Sequence, residues 1–306
     1  MNTWLSKPDL TGDLNMKKII VALCISAVAL PALAQDTGDW SLYRNHREKL
    51  VMAYTLFDNG LSLTTRCVDG GFEAIVGGLP EPTDADAPTR TIGLAFGDAP
   101  MSMQNWNVAI NRAMAVSERP APLARQMRQG GRLQVLVPNG AGPGRNLRYD
   151  VTLPASTTAI DDTLFACRRP LTDPRDAQLA ALPDGGLPAG LTWVRTPVVE
   201  YPSTRYARGF AVVSCLTNPD GRLRDCAVES EHPVKGGFGE AARRAVVGSR
   251  VRRGDGSTGP IPQVMVTFRA NFVTEGYETR SERDASRDQD RRTREESRNA
   301  READGG

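Results

Sequence analysis

Three short apolar or alternating runs, at 51–57, 61–67 and 72–76, are separated only by Asp58-Asn59-Gly60 and Asp69-Gly70-Gly71. Asn-Gly and Asp-Gly-Gly breaks between such runs are strong hairpin signals, so this part of the chain is constrained to antiparallel strands. The rhythm continues through 91–96, 106–115, 133–137 and 147–153, divided by Pro/Gly-rich loops that include 138–144. Residues 35–170 therefore read as a mostly β domain, sandwich-like or barrel-like. Two short helices interrupt it, at 122–128 and 156–167. In the second, Ser156 is placed to cap, and Ile160, Leu164 and Phe165 form the buried stripe.

The N-terminus sets the expected compartment. Lys17-Lys18, the apolar run 19–30, Pro31 and the small-residue box Ala32-Leu33-Ala34 have the layout of a secretory signal cleaved before Gln35, preceded by a start-site extension at 1–15. The rival reading is an uncleaved anchor holding an inner-membrane protein that faces the periplasm, but the run is shorter than the roughly 20 residues a spanning helix requires. Leu23 before Cys24 is not the small residue that lipid attachment requires. The expected location is the periplasm.

Four cysteines follow the signal: Cys67, Cys167, Cys215 and Cys226. An even number in an exported chain reads as disulfides, because the periplasm oxidises thiols. Three connectivities exist. Cys215 and Cys226 lie on the two arms around Pro219-Asp220-Gly221, and a two-residue Asp-Gly turn would set them opposite each other, leaving Cys67 for Cys167. A type I turn over 218–221 with a glycine bulge is the rival register. It would put the two cysteines on opposite faces unless a second bulge restored them.

The composition excludes several functions. With 38 Lys and Arg against 36 Asp and Glu, the chain is near neutrality, and after the signal only Lys49 and Lys235 remain as lysines. Such a surface offers no broad basic field for phosphate backbones, so nucleic acid is not an expected partner. The only histidines are His46 and His232, and the cysteine spacings do not suit a metal site. Asp161-Asp162 is a carboxylate pair, but adjacent helix residues point apart, and acids in a first turn ordinarily offset the helix dipole. His46 sits in a polar segment with no nucleophile elbow in the chain. Trp40, Trp106 and Trp193 read as packing residues rather than a ligand stack. No enzyme activity, cofactor, metal or small-molecule substrate is expected.

Residues 171–190 hold Asp173-Pro174-Arg175-Asp176 and two turn-rich clusters, and read as an exposed, semi-stiff linker. Beyond it, 210–217 and 222–229 form a hairpin. Phe238, Ala241, Ala242, Ala245 and Val246 fall on one helical face, and Val264, Val266, Phe268, Ala270 and Phe272 alternate along a last strand that buries one side and exposes the other. This is a β-β-α-β unit. Gly236, Gly237 and Gly239 form a helix-entry turn; no Lys-Ser/Thr follows to make a phosphate cradle.

Tyr201-Pro202, the Asp220-Gly221 hairpin, the small-residue helix and the alternating strand at 261–272 together resemble, in that order, the C-terminal domain of the TonB family. These are periplasmic proteins that dock on outer-membrane transporters. The resemblance covers about 191–275, so the expected fold is a mostly β N-terminal domain plus an α+β TonB-like C-terminal domain. It implies that an extended segment of an outer-membrane receptor, or of another envelope protein, is received beside the final strand, at Val264, Met265, Val266, Thr267, Phe268, Arg269, Ala270, Asn271 and Phe272, with a link to transmembrane transport. Strand addition supplies backbone hydrogen bonds, and side chains supply selectivity. Two departures stand out. Ser249-Arg250-Val251-Arg252-Arg253-Gly254 replaces the aromatic residues and proline that often follow the helix in the family, and the signal segment lacks the membrane histidine by which transducing members couple to their inner-membrane motor. The expectation is binding without energy transduction. The alternative is a structural envelope or cell-wall-associated protein, and a periplasmic enzyme ranks last. Residues 276–306, dense in Arg, Asp and Glu, cannot bury a core and read as a disordered tail.

Overall fold

The computed structural model describes residues 40–84, 86–156, 158–274, 287–289 and 291–292. Residues 1–39, on which the expected export signal falls, and nearly all of the charged tail lie outside the described residues.

The hairpin-rich first half builds β1 (Ser41–Asn45), β2 (Leu50–Leu56), β3 (Ser62–Val68), β4 (Gly71–Gly77), β5 (Thr89–Phe96), β6 (Ser102–Val108), β7 (Ala115–Ser117), α1 (Pro120–Met127), β8 (Gly131–Val137), β9 (Leu147–Leu153) and α2 (Ala159–Ala166). All nine strands join one antiparallel sheet in the order β1-β2-β3-β4-β7-β6-β5-β8-β9. The sheet packs around α1 and α2, and Trp40, Leu63, Phe72, Trp106, Leu133, Ile160 and Leu164 share one core with them. The two ends of the sheet approach each other, where Trp40 Nε1 donates to the Pro154 carbonyl at 3.0 Å.

Two local expectations change. Residues 106–115 are not one strand but the end of β6, a turn and the start of β7. Asn111 makes the turn: its side-chain oxygen accepts from the Ala113 N–H at 3.1 Å and its carbonyl accepts from the Met114 N–H at 2.9 Å. An Asx turn of this kind is invisible to apolar alternation. The N-cap of α2 is Thr158 rather than Ser156, but Ser156 Oγ, two residues before it, accepts from the first-turn Ile160 N–H at 3.0 Å. Ile160 and Leu164 are fully buried, yet Phe165 is 59 % exposed and Thr163 is buried. Positions 160, 163, 164 and 167 share one face at i, i+3, i+4 and i+7; 165 lies off it.

The stretch read as an exposed linker carries α3 (Arg175–Ala181) and packs down. Leu179 and Leu182 are buried, and Arg125 of α1 holds Asp176 through two contacts of 2.5 and 2.6 Å. The Arg119 guanidinium donates to the carbonyls of Leu179 and Leu182. Ala177, Gln178, Ala180 and Ala181 of the helix remain exposed, while Leu179 and Leu182 find an apolar seat next to the last strand, so the stretch is anchored at its leucines.

The remaining elements are β10 (Leu191–Trp193), β11 (Arg208–Thr217), β12 (Leu223–His232), α4 (Phe238–Val246), β13 (Val251–Arg253) and β14 (Met265–Val273). Strands β12-β11-β14 form an antiparallel sheet, and β10 pairs with β13. As the helical spacing requires, α4 presents Phe238, Ala241, Ala242 and Val246 to this sheet, where they meet Val213, Val266 and Phe272. The opposite face is also covered: Phe210 and Val212 pack with Ile75, Ala109 and Val116 of the large sheet, and Met265 packs with Leu179 and Leu182. The last strand therefore does not bury one face only; Met265 and Thr267, expected outside, are buried. Residues 249–254, which had no assigned structure, include β13.

Candidate functional site

The β11–β12 turn decides where the cysteines go. The Gly221 N–H donates to the Asn218 carbonyl and the Asn218 N–H donates to the Arg222 carbonyl, both at 2.8 Å, with Gly221 at φ +80°. That is the type I turn with a glycine bulge. It pairs Thr217 with Leu223 and Leu216 with Arg224. A second irregularity follows at Asp225, whose φ is +51°, and beyond it Ser214 pairs with Ala227. The second bulge brings Cys226 opposite Cys215, and the two are bonded with Cα atoms 4.1 Å apart. Cys67 is bonded to Cys167, with Cα atoms 5.5 Å apart. Two intramolecular disulfides are consistent with an exported protein.

The edge of the small sheet is β14, and its alternation fixes which backbone groups are free. The Thr274 N–H donates to the Ala207 carbonyl and the Thr217 N–H to the Val264 carbonyl, both at 3.0 Å. In that register the even residues Val266, Phe268, Ala270 and Phe272 exchange bonds with β11, so the backbone groups of Met265, Thr267, Arg269, Asn271 and Val273 point outward. The outward run is partly occupied. Gly186 lies against it, accepting from the Thr267 N–H at 2.7 Å, and a side chain on Gly186 would meet the Thr267 carbonyl oxygen at 2.2 Å. No backbone bond to the outward N–H groups of Arg269, Asn271 or Val273 is present among the described residues.

Of the nine residues expected to receive a partner, Val264 precedes β14, where Thr217 Oγ1 accepts from its N–H at 2.9 Å. Met265 and Thr267 are buried beneath α3 and the 183–190 turn; Val266, Phe268, Ala270 and Phe272 face α4. Arg269 is tied to Glu118. Asn271 is exposed, as is its neighbour Val273, which the sequence reading left out. The accessible edge is thus 269–273, shorter and shifted towards the C-terminus. The capping role of Gly186 was also missed, although Pro183-Asp184-Gly185-Gly186 was legible as a turn.

The polar clusters near this sheet are structural ties. Glu73 of β4 is fully buried, with Arg66 Nε at 2.6 Å and His232 Nδ1 at 2.7 Å. Burial works to raise its pKa, but the hydrogen bond from His232 and the charge of Arg66 outweigh it and hold the carboxyl below its ordinary range. Glu118 moves the other way: burial raises it despite Arg269. Glu229 is buried between Ser214 Oγ at 2.5 Å and Arg175 at 3.0 Å. Asp161 takes a bidentate contact from Arg128 at 2.6 Å and Asp162 pairs with Arg44 at 2.6 Å, so the two carboxylates brace α2 against α1 and β1. Trp40 and Trp106 are in the core, and Trp193 packs edge-on to Phe268 with centroids 6.0 Å apart. His46 is exposed in the β1–β2 turn. At the glycine-rich entry to α4, the Glu231 carboxylate accepts from the N–H groups of Lys235 and Gly239 at 2.9 and 2.7 Å, filling the place an anion would take.

No family model matches the chain, and no curated protein matches it significantly. Among solved structures, the chain is similar to the solution NMR structure of the Pseudomonas aeruginosa TonB CTD, with 23 % identity over 30 % of this chain and 93 % of that one, at a TM-score of 0.26. This is a weak and partial likeness, and at that score it carries no argument about fold or partner. No described helix is long and apolar enough to cross a membrane.

Proposed function

We propose that this chain is an exported, non-catalytic binding protein that receives an extended segment of an envelope protein along residues 269–273 of β14, without transducing energy. The observation that carries the reading is the edge itself: the outward N–H groups of Arg269, Asn271 and Val273 have no backbone partner among the described residues, and an added strand would supply one. Two disulfides fit an oxidising compartment. The ordered TonB-like features at 201–272 name outer-membrane receptors as the first partners to test.

The test is titration of the full chain with peptides from the periplasm-facing N-terminal segments of outer-membrane receptors. A proline at Val266 would break a bond to β11 and is a poor probe; Asn271→Pro removes only an outward N–H. Binding by the native chain and at least tenfold weaker binding by N271P, with unchanged circular dichroism, is the expected result. Equal binding by N271P, or no binding by any envelope segment, overturns it; cosedimentation with peptidoglycan in the latter case favours a structural envelope role.

A further inference from the structure

Independently of the β14 edge, the face of the large sheet away from α1 carries an unusual pair. Gly93 of β5 is paired with Met103 of β6, and Met101 lies two residues before Met103. Residues two apart on an extended chain project to the same side. Both thioethers accordingly fold over Gly93: the point where a Cβ would stand on that glycine is 2.7 Å from Met103 Sδ and 2.8 Å from Met101 Sδ. The sulfurs are therefore separated by no more than those two distances together. The glycine is what permits this, since any side chain there would occupy the space into which both sulfurs converge. Met103 is 42 % exposed and Met101 half-buried, so the pair is open to solvent rather than sealed in a core.

We propose that Met101 and Met103 form a two-thioether site for a soft monovalent cation, Cu(I) or its redox-inert analogue Ag(I). Thioether sulfur is a soft donor that selects Cu(I) over harder divalent ions. It is uncharged and does not titrate, so the site needs no deprotonation to bind. The four described cysteines are in disulfides and cannot compete. No group of three or more His, Cys, Asp or Glu suited to a metal occurs among the described residues, so no such cluster there competes with the thioether pair. No bond is made or broken beyond the two sulfur-to-metal contacts.

The test uses the full chain carrying Cys24→Ser, which removes the one thiol outside the disulfides, and selective carbon-13 labelling of the methionine methyl groups. On adding one equivalent of Ag(I), the methyl signals of Met101 and Met103 are expected to shift together while those of Met52, Met114, Met127 and Met265 stay in place. Met101→Leu and Met103→Leu, which keep the volume of the side chain, are each expected to weaken binding at least tenfold. Gly93→Ala, which intrudes between the sulfurs, is expected to weaken it as well. Unmoved Met101 and Met103 signals at one equivalent, or native affinity in either leucine variant with an unchanged spectrum elsewhere, overturns the proposal.

Discussion

His232 Nδ1 lies 2.7 Å from Oε1 of Glu73, a carboxylate with no exposure to solvent, and the contact ties β12 of the small sheet to β4 of the large one across 159 residues of sequence. Phe210 stacks on the same imidazole with ring centroids 6.1 Å apart. The folded pKa of Glu73 lies below its unfolded value, so its contribution to stability is present above the ordinary carboxylate pKa and is lost as pH falls through the lowered one. Thermal melts along an acid series are expected to show the midpoint dropping in that window. Glu73→Gln should flatten the drop and cost about 3–5 kcal/mol at neutral pH, the usual penalty for breaking a buried pair. An acid limb as steep in E73Q as in the native chain would count against the assignment.

The seam between the sheets is apolar around Phe210 and Val212, which meet Ile75 and Val116. Phe210→Ala is expected to destabilise the full chain by about 3–5 kcal/mol, measured as a lower urea midpoint. The same residues would be uncovered in a 191–275 fragment. The fragment is therefore expected to bind a hydrophobic dye and to unfold at lower urea than the full chain; equal midpoints would mean that the seam contributes nothing.

The two disulfides close loops of very different size, with sequence separations of 100 and 11. Loop-closure entropy gives about 4.7 kcal/mol for the first and about 3 kcal/mol for the second. The double substitution Cys67→Ser, Cys167→Ser should thus lower the urea midpoint more than Cys215→Ser, Cys226→Ser. A reversed order would show that the short bridge also pins the bulged hairpin register.

Gly186 has φ +75° and stands against the Thr267 backbone. Gly186→Val should push the turn off β14, at a cost of about 1–3 kcal/mol for the strained backbone. Hydrogen exchange reads this directly: the Thr267 amide should exchange faster, while the Val266 amide, bonded to β11, keeps its protection. Unchanged exchange at Thr267 would remove Gly186 as the cap of that edge.

Much of the local structure was legible in the sequence because it rests on neighbours. The Asp-Asn-Gly and Asp-Gly-Gly turns produced the β2–β3–β4 meander, and the spacing of Phe238, Ala241, Ala242 and Val246 marked the buried face of α4. The cysteine pairing was legible too, though by way of a second bulge at Asp225 rather than a two-residue turn. The 106–115 run misled because the Asn111 turn is made by a side-chain hydrogen bond and not by a glycine or proline.

What the sequence alone determined is the set of hairpins, one amphipathic helix, the alternation of the last strand and the supply of cysteines, all of which follow from periods of two or 3.6 residues and from turn chemistry. Only the tertiary structure decided which side of each element would be covered. It set Phe210 and Val212 against the large sheet, seated Leu179 and Leu182 beside Met265, and laid Gly186 along Thr267. Those contacts join residues far apart in the chain, and no local period encodes them. They reduce the long edge implied by 264–272 to the five residues 269–273, where backbone groups still face outward.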